Sequence, residues 1–169
     1  MLLSFRAFIL WLHLLAAFVW VGGLCFQLLV LPPTLAYATG LRERIRLGLR
    51  AESRFRVVLW PAVGIVLLTG LYNVMNVLYL TALAGGSVPP AFARVLSLKL
   101  GFAVLMIVLQ AVAQLVVYPQ RLAQLREMPL EAHTVPPALA RLQRLATVLH
   151  IMIIAFAAAA VWCAILLRG

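Results

Sequence analysis

The chain contains no aspartate, and its four acids are all glutamates: Glu43, Glu52, Glu127 and Glu131. That excludes an aspartyl-phosphate pump and any triad anchored by aspartate. Charge of either sign is scarce, because Asp, Glu, Lys and Arg make up only 11% of 169 residues, less than half the usual share. Cysteine is scarcer still. Cys25 and Cys163 lie inside apolar runs at opposite depths, so no disulfide between them is expected. What fills the chain instead is hydrocarbon, with 66% hydrophobic residues and a mean hydropathy of +1.10. A water-soluble globule of this composition would have too little polar surface to cover itself. A single membrane domain over residues 1–169 is expected.

Four apolar runs stand out: Ala7–Leu31, Val57–Leu83, Val95–Tyr118 and Leu145–Leu167. Each is long enough to cross a hydrocarbon core of about 30 Å as a helix. Backbone groups in lipid must pair within their own segment, so the fold class predicted is all-α, a four-helix up-and-down bundle. Pro32-Pro33 is predicted to end the first run, Gly85-Gly86 and Pro89-Pro90 the second, and Pro119 the third. The first run exceeds a signal-peptide core of about 7–15 residues, so it is expected to stay as a helix despite the cleavage-like Ala36-Tyr37-Ala38.

The net charge of +10 would suggest nucleic acid in a soluble protein. Its distribution argues otherwise. Arg42, Arg44, Arg46, Arg50, Arg54 and Arg56 lie in the segment 32–56, and Arg121, Arg126, Arg141 and Arg144 in 119–144; only Arg6, Arg94, Lys99 and Arg168 fall on the other side. The positive-inside rule then places both segments in the cytoplasm and both termini outside, in a cytoplasmic (inner) membrane. No nucleic-acid partner is expected; the lipid bilayer is. Leu41, Ile45 and Leu49 recur at helical spacing among the arginines, as do Leu139, Leu142 and Leu145, so the basic segments are expected to be partly helical at headgroup level, meeting anionic lipid.

Polar residues inside the membrane are costly and mark where function should be sought. His13, Trp20 and Gln27 share one face of the first span. Thr69, Tyr72, Asn73 and Asn76 form a stripe on the second, and Lys99, Met106, Gln110 and Gln114 one on the third. The fourth carries Thr147 and His150 toward its inner end and Trp162 and Cys163 toward its outer end, with small alanines between that permit close helix approach. By depth, His13, Lys99, Asn73, Asn76, Trp162 and Cys163 make an outer group, and His150, Cys25, Gln27, Gln114 and Trp60 an inner one. His13 and His150 differ by roughly 16 Å in height, so the pair is not expected to clamp one haem. His133 is predicted to lie in a solvated loop.

Several short motifs carry a resemblance. Trp11-Leu12-His13-Leu14-Leu15-Ala16-Ala17 with Trp20-Val21-Gly22-Gly23, then Arg54-Phe55-Arg56 with Leu68-Thr69-Gly70-Leu71, then Leu98-Lys99-Leu100, resemble the spans of the copper resistance protein D (CopD-like) membrane domain. The resemblance implies a protein that handles copper between the outer side and the membrane. His13, Met106 and Cys163 would be its metal ligands, with Met75 a further candidate, and Asn73 and Asn76 would orient them. The His13 and Lys99 pattern is also similar to the HemJ-type protoporphyrinogen oxidases. That likeness implies haem b, with His13 as axial ligand and Lys99 beside a propionate or substrate carboxylate; His150, Asn73 and Asn76 are further candidates for contact with a cofactor. The HemJ-type family has a further histidine where this chain has Pro32-Pro33-Thr34, and tryptophan-rich sequence where it has Val95-Leu96-Ser97. Three functions are therefore carried forward: copper handling, a haem-dependent redox protein, and a non-catalytic accessory subunit. An enzyme is expected only under the second. A homo-oligomer, or a partner membrane or periplasmic protein, is expected because four spans are few for a transporter.

Overall fold

The computed structural model describes residues 2–37, 40–129, 132 and 134–167; Glu131, His133 and Arg168 lie outside the described residues. Four helices are long and apolar enough to cross a membrane: α1 Phe5–Leu35, α2 Leu41–Leu83, α3 Pro90–Glu127 and α4 Pro137–Leu166. No strand occurs among the described residues. The helices run up and down, α1 packing along α2 and α3 along α4. The two hairpins join where α1 meets α4 and where the start of α2 meets the end of α3. The bundle thus has one end carrying the chain termini and an opposite, arginine-rich end.

Outward-facing side chains are apolar, with Phe18 74% and Leu68 72% exposed. Side chains of that kind left bare around the whole waist are stable only against lipid. Inside, Trp20, Leu24, Leu59, Val63, Met106 and Ile153 form a buried belt. A second core, built on Ile45, Leu49, Leu125, Met128 and Leu139, lies at the arginine-rich end. It exists because α2, α3 and α4 all continue beyond their apolar runs. The 43 residues of α2 start at Leu41, with Arg44 N–H bonded to Gly40 O at 3.0 Å.

Pro32-Pro33 and Pro119 do not end their helices, contrary to the sequence expectation. Phe26–Val30 and Val112–Val117 are π-helical, with Leu31 N–H bonded to Phe26 O and Tyr118 N–H to Ala113 O. A proline lacks the N–H of an ordinary turn and its ring collides with the carbonyl four residues back. Widening the turn just before it lets the helix pass through, as membrane helices tolerate. By contrast, α2 stops where expected. Gly86 N–H reaches Thr81 O at 3.1 Å and Gly85 N–H reaches Ala82 O at 3.0 Å. Gly85, at φ 66°, supplies the left-handed residue such a cap needs.

Candidate functional site

Polar side chains gather at three levels inside the bundle. Toward the terminal end, His13 Nδ1 lies 2.8 Å from Thr69 Oγ1. The threonine hydroxyl has one proton, which it directs to the backbone carbonyls of Ile65 and, at 3.3 Å, Val66. Thr69 Oγ1 is then placed to accept from the imidazole, an arrangement that corresponds to the Nδ1–H tautomer of His13, with the ring's lone pair on Nε2. Gly70 makes room for the ring, because a Cβ there would come within 3.4 Å of His13 Cε1. Lys99 of α3 is near enough for its charge to act on the imidazole. Asn73 lies one turn above Thr69 and is half-buried. Asn76, its amide oxygen turned toward Arg6, accepts from Nε at 2.8 Å and Nη2 at 3.1 Å.

At mid-depth Trp20 Nε1 donates to Gln110 Oε1 at 3.2 Å, with Gln110 fully buried. Met106 belongs to the apolar belt beside it. Cys163 is buried as a free thiol near the terminal end. Its neighbour Trp162 is 63% exposed and Met75 59%, so both face outward rather than into the bundle.

The third level, at the arginine-rich end, is a charged network. Arg56 Nε donates to Gln114 Oε1 at 2.7 Å, and its guanidinium lies 4.2 Å over the Tyr118 ring. Tyr118 in turn donates to Leu49 O at 3.4 Å. Arg121 Nη1 meets Glu52 Oε2 at 2.7 Å, and both side chains are largely buried. The Arg121 charge also acts on His150, which is buried with no partner for Nε2. Thr69 and Arg56 are 13 residues apart on α2, about 20 Å along the axis. His13 and His150 therefore belong to opposite ends of the bundle.

Among the described residues no three His, Cys, Asp or Glu side chains gather around one point. The arginine-rich network is not visible in the sequence, which places Glu52, Arg56 and Arg121 in basic segments at headgroup level without pairing them. One signal was available. Ile45, Leu49, Glu52 and Leu59 are all buried, and with Arg56 they follow three-and-four spacing without interruption into the membrane.

Residues 49–162 match a family described as copper resistance protein D. The chain belongs to the copper resistance protein D family. No curated protein and no solved structure matches it. The matched stretch holds every member of the arginine-rich network, together with Thr69, Gly70, Asn73 and Lys99. His13 precedes it. The matched stretch of this chain thus contains the acceptor and the space for the imidazole that comes from the first helix. In this copper resistance protein D family member the two features that seat the ring, Thr69 and Gly70, are adjacent in sequence on α2.

Proposed function

We propose that the chain handles copper, accepting the ion at His13 from the terminal side of the membrane. The observation that carries this is the 2.8 Å contact of His13 Nδ1 with Thr69 Oγ1, whose own proton goes to the backbone; the Nδ1–H tautomer that fits it keeps the lone pair on Nε2. A metal-binding histidine is ordinarily held this way, by a hydrogen bond on its other nitrogen. Imidazole suits copper, and a protein of this family is expected to meet that ion. Cys163, buried near the terminal end, is the softer donor proposed for the same ion, with Asn73 and Asn76 orienting the site, while Met106 lies deeper in the apolar belt. The arginine bias supports placing the chain in the cytoplasmic membrane with both termini outside.

The apolar belt of Trp20, Leu24, Leu59, Met106 and Ile153 closes the interior between His13 and Arg56. In this state the chain receives copper rather than conducting it, so passage onward calls for a second copy or a partner membrane or periplasmic protein. Cellular copper content tests the role. Cells making His13→Ala at the same membrane abundance as wild type should lose the change in copper content or tolerance that the wild-type chain confers; an unaltered phenotype refutes it.

One observation favours a second reading. Lys99 beside His13 suits an anionic group such as a haem propionate or another carboxylate better than a bare cation. Under that reading His13, or on its own level His150, would be an axial ligand of haem b.

A further inference from the structure

We propose that the cleft between the start of α2 and the end of α3 is a binding site for the phosphate of one anionic phospholipid. The cleft holds about 310 Å³ and is rimmed by Arg42, Arg46, Arg50 and Arg126, over a floor that includes Tyr118 and Leu122. Arg42, Arg46 and Arg50 follow each other at four-residue steps, which puts them on one face of α2. They extend over about 12 Å of helix. Arg126 approaches from α3.

Three observations point to a phosphate ester of a lipid. The first is charge. Glu43 pairs with Arg46 at 2.7 Å, which leaves the cleft with an excess of guanidinium, and guanidinium is matched to phosphate oxygens. The second is an unmade bond: Arg42 Nε is buried and has no hydrogen-bond partner. The third is placement. Tyr118 closes the apolar run of α3, and its hydroxyl meets Leu49 O, so the floor begins at the membrane boundary and the arginines rise from it into headgroup depth. A free phosphate has no use for an apolar floor; a lipid whose glycerol and acyl chains start at that level does. The neighbouring cleft between α3 and α4, about 430 Å³, contains one arginine, Arg141, and supplies a control surface.

The test uses the purified full chain in detergent, with bound lipid counted by native mass spectrometry and thermal melting followed in parallel. Phosphatidylglycerol should bind and raise the melting temperature, while phosphatidylcholine and millimolar inorganic phosphate should not. Arg42→Gln/Arg50→Gln should weaken phosphatidylglycerol binding about thirtyfold, the product of two arginine contributions. Arg141→Gln/Arg144→Gln removes the same charge elsewhere and should leave binding within about twofold. Equal loss in both double variants would reduce the effect to bulk charge and overturn the site. Stabilisation by inorganic phosphate alone would overturn the lipid as its occupant. If either double variant melts without ligand far below wild type, Arg126→Gln alone provides the same comparison, and unchanged lipid binding there overturns the proposal.

Discussion

Thr69 accepts the Nδ1 proton of His13 across the interface of α1 and α2, at 2.8 Å, while giving its own proton to the backbone one turn earlier. The tautomer of the imidazole is therefore set from α2. Thr69→Val keeps the shape and removes the acceptor. Copper affinity of the purified protein is expected to fall about 10- to 100-fold, the usual cost of removing such an orienting partner. Thr69→Ser should retain most of it. Equal affinity in wild type and Thr69→Val would separate the hydrogen bond from metal binding.

Lys99 distinguishes the two readings of the His13 site. If the ligand is a copper ion, the ammonium repels it, and Lys99→Leu should tighten binding by about tenfold at neutral pH. If the ligand is a haem or another carboxylate-bearing molecule, the same substitution should weaken it. Competition titrations with copper, and absorbance spectra after haem addition, report the two directions on one pair of proteins.

The Glu52–Arg121 pair should matter to stability more than to the His13 site, since it joins α2 to α3 at the far end of the bundle. Removing one partner leaves a buried charge, so Glu52→Leu is expected to cost about 3 kcal/mol. Glu52→Leu/Arg121→Leu should recover much of that loss, because the orphaned charge is gone. Unfolding in graded denaturing detergent measures it. Additive losses in the double variant would contradict the pairing.

Gly23 of α1 receives the ring of Phe55 from α2 so closely that a Cβ at this position would overlap it. Gly23→Ala should therefore destabilise the first hairpin by about 1–3 kcal/mol, the range for overpacking. Phe55→Ala should offset much of the effect when the two are combined. A Gly23→Ala protein that melts with wild type would show that the ring can move aside.

The four membrane crossings were legible because about 20 consecutive apolar residues admit few other structures. Their ends were less so. Pro32-Pro33 and Pro119 read as stops, and only the backbone shows that π-helical turns at Phe26–Val30 and Val112–Val117 carry the chain through. Spacing did reveal which polar residues share a face of a helix, and so pointed to His13 and Lys99. It could not pair faces across helices. Asn76, grouped with His13 by depth, also accepts from Arg6 of α1, a partner that no spacing along α2 could name. Glu52 and Arg121 meet although 69 positions separate them; the spacing around Glu52 puts it on a buried face but does not name its partner.

The most direct measurement is a Cu(I) titration of the purified chain against a coloured competing chelator, wild type beside His13→Ala and His150→Ala. The account predicts one tightly held equivalent in wild type and in His150→Ala, and its loss in His13→Ala. Retention of that equivalent by a folded His13→Ala protein would contradict the assignment of His13 as the copper ligand.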